Sequence, residues 1–247
     1  MLSLLGSIGR FRRRRIESDY HSSPPVGKKL LDPLPWSDYF DQEIYLENPR
    51  SFETVVHHVY LSAPSDNGPL FITHHGAGSS GLSFAAFAME IRKALPKSGV
   101  LSLDARGHGE TAVKHTSGSA TDDALHMSLE TLSQDLLDVV ILIQKKMSWQ
   151  ELPNMILIGH SLGGAVVTDL AANGKLGNAV LGYAVFDVVE GSAIDALQSM
   201  QSYLSTRPMS FPSIASGIEW QSVYVKSSFG NESSSLTNIQ YADKDNT

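Results

Sequence analysis

Met155-Ile156-Leu157-Ile158-Gly159-His160-Ser161-Leu162-Gly163-Gly164-Ala165-Val166-Val167 is the stretch on which the reading of the whole chain turns. Its first four residues have the length and composition of a buried strand, and Leu162 onward begins a helix, so Ser161 falls in the turn between them. The pattern G-x-S-x-G is weak by itself, because a chain with 20 glycines meets it by chance now and then. The strand-turn-helix setting gives it weight. A serine at the top of a parallel sheet, on a strained turn, stands as an exposed nucleophile. Such a turn has no room for side chains two residues to either side, and Gly159 and Gly163 meet that demand. The plain alternative is a glycine-rich turn whose serine merely caps the helix.

Outward from this turn, the chain alternates strands with helices. Gln42 to Glu47 and Glu53 to Leu61 read as antiparallel strands, with a turn from Pro64 to Gly68. Leu70 to His74 is a short buried strand that runs into His75-Gly76-Ala77-Gly78. Residues 82–95 carry Phe84, Phe87, Ala88 and Ile91 at helical spacing. Val100 to Asp104 is a second buried strand, opening into Ala105-Arg106-Gly107-His108-Gly109 and a polar stretch to about Met127. Leu129, Leu132, Leu136, Val139, Val140 and Ile143 mark a long amphipathic helix with Ser128 as its cap. Ala179 to Phe186 is a further strand, ending at Asp187, and a helix follows through Ala196 to Leu204. This alternation predicts an α/β fold, a mostly parallel sheet with helices on both faces.

Length and composition set the outer limits. A chain of 247 residues with 42% hydrophobic residues suffices for one α/β domain. It has no cysteine, so neither disulfides nor thiolate metal sites enter, and no metal or other cofactor is expected. The net charge of −7 is uneven: residues 1–30 hold seven basic and two acidic residues, leaving −12 for the rest. An acidic body argues against nucleic acid as a partner. No apolar run approaches the roughly 20 residues of a membrane span. Residues 1–34 read as a disordered basic arm, with an organelle transit peptide as the alternative; residues 35–226 read as the core, starting at the aromatic cluster Pro35-Trp36-Ser37-Asp38-Tyr39-Phe40. Residues 227–247, rich in Ser, Asn and Asp, read as a disordered tail.

A serine nucleophile needs donors for an oxyanion, an acid and a base. Leu162, directly after the serine, offers its N–H at the helix start. Gly76 and Ala77, in a loop that resembles the HGGG type, would offer a second. For the acid, Asp187 stands at the carboxyl end of the next strand, where open α/β sheets place their sites, with Glu190 and Asp195 as rivals. Asp104 also ends a strand, but its neighbours suit a structural turn. The base is missing from this pattern. The nine histidines lie at 21, 57, 58, 74, 75, 108, 115, 126 and 160, and none follows Asp187. His160, inside the turn, is read as pointing away from the serine. His108 is then the upstream histidine on a loop at the active edge.

The stretches Pro35 to Phe40, Leu157 to Ala165 and Phe186-Asp187-Val188-Val189-Glu190-Gly191-Ser192-Ala193 resemble the protein phosphatase methylesterase family. Asp195 to Gln201, Arg207-Pro208 and Ile218-Glu219-Trp220 extend the resemblance over about residues 35–222. It implies an α/β-hydrolase fold and removal of the methyl ester from the C-terminal leucine of the protein phosphatase 2A catalytic subunit. It also implies Ser161 as nucleophile, Asp187 as triad acid, and a cytoplasmic or nuclear location. The family's triad histidine lies in a C-terminal segment with no counterpart in this sequence. The expectation is therefore a C-terminally incomplete fold whose esterase turnover is impaired. A phosphatase-binding module without turnover and a generic serine esterase or lipase are the alternatives.

Overall fold

The computed structural model describes residues 34–115, 126–187, 208, 210–213 and 215–220. The expected basic arm, the helix through Ala196 to Leu204 and the tail lie outside the described residues. Seven strands form one sheet: β1 (Gln42–Pro49), β2 (Glu53–Ser62), β3 (Leu70–His74), β4 (Gly99–Leu103), β5 (Ala112–His115), β6 (Met155–His160) and β7 (Val180–Phe186). Their order is β1-β2-β4-β3-β6-β7, with β5 paired to β2 outside this path. The strands β4, β3, β6 and β7 run parallel, and β1, β2 and β5 add an antiparallel arm.

Side-chain alternation along the central strands divides the core in two. Leu70, Ile72, Leu101, Leu103, Met155 and Leu157 face one side. There they meet the apolar stripes of helix α2 (Leu129–Lys146) and helix α3 (Leu162–Ala172). Phe71, Val100 and Ile158 face the other side and pack with Phe40, Leu82, Phe84 and the buried alanines of helix α1 (Ala85–Ala94). The aromatic cluster at the start of the core belongs to this second layer. Phe40 and Trp36 lie 5.4 and 6.1 Å from the Tyr60 ring. Ser128 caps α2, its hydroxyl accepting from the Thr131 N–H at 3.2 Å.

Two elements differ from the sequence expectation. The helix read over residues 82–95 starts as a 3-10 turn, Gly81–Phe84, before α1. The polar stretch after Asp104 contains β5, which takes the part of the β2 edge that β4 leaves free. Three of its four residues are exposed, so no alternation of apolar residues announced it.

Candidate active site

The serine turn is built by the sheet. Strand β6 lies between β3 and β7, and at its end Ser161 adopts φ 50° and ψ −115°, which costs a non-glycine residue about 1–3 kcal/mol. Two backbone bonds hold it there. The Ser161 N–H donates to the Phe186 carbonyl at 2.9 Å, and the Gly164 N–H donates to the Ser161 carbonyl at 2.8 Å. The flanking glycines are needed for space: a Cβ on Gly159 would fall on the Gly163 backbone, and one on Gly163 on the His74 carbonyl. Leu162 is the first residue of α3, so its N–H belongs to the free first turn of that helix.

Parallel register brings the candidate acid to the same place. His160 pairs with Phe186, so Asp187 leaves β7 beside the point where Ser161 leaves β6. Asp187 also has a positive φ, 56°, and its side chain is 77% exposed. The reading of His160 as turned from the site missed a contact: its Nε2 lies 3.7 Å from Asp187 Oδ2. That is an ion-pair distance, too long for a hydrogen bond. Glu190 and Asp195, the rival acids, lie outside the described residues.

The loop after β3 closes on the serine from the other side. A Cβ on Gly76 would come within 2.8 Å of His160 Nδ1 and 3.2 Å of Ser161 Cβ, so a side chain here would press on both residues of the turn. Gly76 is buried and Ala77 exposed, and Gly78 turns the loop with φ 75°. His74 and His75, both 1% exposed, support it from below. Burial pushes each down to about 4, His74 against the pull of its bond to the His75 carbonyl, so both rings are neutral near pH 7.

Asp104 builds a structural turn, as its neighbours suggested. Its Oδ1 accepts from the Gly81 N–H at 2.7 Å, and its Oδ2 accepts from the Glu110 N–H at 2.9 Å and lies 2.7 Å from His58 Nδ1. Burial works against its charge, but these bonds outweigh burial and hold the carboxyl below the usual range. Arg106, 1% exposed, grips Glu53 and Asp135 with both edges of its guanidinium. Arg50 adds bonds to Asp135 and Asp138 at 2.7 and 2.6 Å. This charge lattice ties β2, the 104–111 turn and α2 together. A cavity of about 570 Å³ beside it is lined by Arg50, Phe52, Glu53, His115 and His126, and contains none of the serine-site groups.

The site therefore gathers Ser161, Asp187, the Leu162 N–H and the Gly76-Ala77 loop at the carboxyl edge of adjacent parallel strands. Curated relatives share this sequence. The chain is 62% identical over 187 residues to protein phosphatase methylesterase 1 of Aspergillus fumigatus, covering 76% of this chain and 44% of that protein. It is 51% identical over 214 residues to the Neurospora crassa protein of the same name (78% and 47%) and 38% identical over 198 residues to that of Mus musculus (79% and 47%). The chain thus spans about half the length of the curated relatives it matches. The pattern of the Alpha/beta hydrolase family matches residues 70–233, which include every site residue named above. With the strained serine turn, the parallel register and this match in hand, the chain belongs to the alpha/beta hydrolase family.

Proposed function

We propose that this chain carries the nucleophile and acid of a serine carboxylesterase of the protein phosphatase methylesterase type. Its substrate would be the methyl ester at the C-terminal leucine of the protein phosphatase 2A catalytic subunit. The observation that supports this most directly is the β6–β7 register, which sets Asp187 beside Ser161 while the Gly76 loop abuts the serine. In this reading the Ser161 hydroxyl attacks the ester carbonyl, and its proton passes to a base. The N–H of Leu162 and one from the Gly76-Ala77 loop receive the negative charge on the carbonyl oxygen. Methanol leaves, and water then releases the free leucine carboxylate and Ser161. The names of the relatives, which match at up to 62% identity, support the ester and the phosphatase as substrate.

The base sets the expected rate. Among the described residues, His160 Nε2 stands 3.7 Å from Asp187 Oδ2, too long for a hydrogen bond. Where no histidine is set to take the Ser161 proton, turnover is expected to be low. Loss of a triad member leaves about 10³–10⁴-fold catalysis over water, far below a complete enzyme. The same observation favours a second reading, a module that docks on the phosphatase without turning over the ester. The test is methanol release from a methylated phosphatase C-terminal peptide, together with capture of the phosphatase by the immobilised chain. Capture with slow, Ser161-dependent release supports the esterase. Capture with release unaffected by Ser161→Ala supports the docking module. Absent capture with ready hydrolysis of simple aryl esters would overturn both in favour of a generic esterase.

A further inference from the structure

Two loops leave the neighbouring strands β3 and β4 at the carboxyl edge: residues 75–80, which hold the candidate oxyanion glycine, and residues 104–111. Each lends a histidine to the other. His75 Nδ1 lies 2.7 Å from the carbonyl oxygen of Gly76, and since a carbonyl only accepts, that nitrogen carries the proton. The lone pair of His75 is then on Nε2, which accepts the N–H of Ala105 at 2.9 Å. His108 repeats the arrangement in reverse. Its Nδ1 lies 3.0 Å from the Arg106 carbonyl, and its Nε2 accepts the N–H of Gly78 at 2.9 Å. The rings meet edge to face with centroids 5.1 Å apart.

We propose that His108 is a positioning residue for the oxyanion loop, holding Gly76 and Ala77 through this reciprocal histidine clasp. This rests on the reading of Ser161 as nucleophile. The clasp fixes the loop on both sides of Gly76-Ala77: His75 takes the carbonyl of Gly76, and His108 takes the N–H of Gly78, at the residue with φ 75° where the loop reverses. The Ser79 N–H, donating to the Gly76 carbonyl at 3.2 Å, closes the same turn. Oxyanion donors act only if they are aimed before charge develops, so the direction of this short loop matters more than its presence. The clasp also fixes what His108 does at this edge. Its Nε2 lone pair is spent on Gly78 and is not available to take a proton from Ser161. Because His75 is buried and His108 half-buried, His108 is the member that can be replaced with least damage to the fold.

The test uses the full chain, with amide exchange at Gly78 reading the clasp and the rate of Ser161 labelling by a fluorophosphonate reading the site. His108→Leu is expected to speed Gly78 exchange by about tenfold and slow labelling by about tenfold, less than the 10²–10³-fold that loss of an oxyanion donor costs. His108→Gln, whose side-chain oxygen can reach the Nε2 position, is expected to restore most of both. If the Leu variant does not fold, His108→Asn replaces it, since its amide can serve Arg106 but cannot reach Gly78. Equal impairment by Gln and Leu overturns the proposal, because a base would be lost in both. Unchanged Gly78 exchange in the Leu or Asn variant overturns it as well. If wild type labels no faster than Ser161→Ala, the nucleophile reading fails instead, and Gly78 exchange alone decides the clasp.

Discussion

The two halves of the sheet's carboxyl edge are built on opposite terms. The β3–β4 half is buried and crowded with bonds: Asp104 accepts two backbone N–H groups, His75 and His108 cross-tie the loops, and Arg106 locks the turn to β2 and α2. The β6–β7 half is open. Asp187 is 77% exposed, and Leu181, Tyr183, Val185 and Phe186 of β7 are 38–61% exposed. Among the described strands β7 pairs with β6 alone. Among the described residues, then, the β3–β4 half is finished by its own bonds, and the β6–β7 half, which carries Ser161, Asp187 and the Leu162 N–H, is the more exposed.

Acid should break the finished half first. His57, His74 and His75 are each pushed down from 6.5 to about 4, chiefly by burial. A histidine with a depressed folded value gives its full contribution above the unfolded value and loses it as pH falls toward the folded one. Stability should therefore decline between about pH 6.5 and 4, by something on the order of 3 kcal/mol per histidine at most. Urea unfolding midpoints that stay flat across that window would refute this. The carboxylate lattice is next. Arg106→Met leaves the buried Asp135 and the part-buried Glu53 without their main partner and should cost about 3–5 kcal/mol, read from the same urea curves. A loss under about 1 kcal/mol would mean that water replaces the guanidinium, and that the two halves differ less than they appear.

The serine turn joins the halves and should show an intermediate effect. Gly159→Ala puts a methyl on the Gly163 backbone and is expected to cost about 1–3 kcal/mol, with thermal melting as the measure. At the small end, Leu181→Lys on the open face of β7 should change stability by under about 0.5 kcal/mol. A cost of several kcal/mol there would show that the face is covered, and the contrast drawn above would fail.

Much of this architecture could be read before any coordinates. The turn glycines, Ser161, the strand that ends before Asp187 and the loop glycine Gly76 all sit on or next to short apolar runs, where local sequence dictates local structure. The start of the core at Trp36 to Phe40 was legible, because a cluster of aromatics favours burial, and Phe40 is buried. Strand β5 was not legible, since it is held by backbone bonds to β2 and carries no apolar rhythm. His108 was readable only as a histidine on a loop at the active edge.

Sequence alone determined the strand-turn-helix run around Ser161 and the order of the candidate residues along the chain, because turns and buried strands follow from steric and apolar constraints within a few residues. Tertiary structure alone decided what the histidines do. His58 between Asp104 and Glu43, His75 on the Ala105 N–H, His108 on the Gly78 N–H and His160 beside Asp187 join residues from 15 to 46 positions apart, with separations set by strand order and register. An imidazole can donate, accept or carry charge, and only the groups that the fold places around it select among the three.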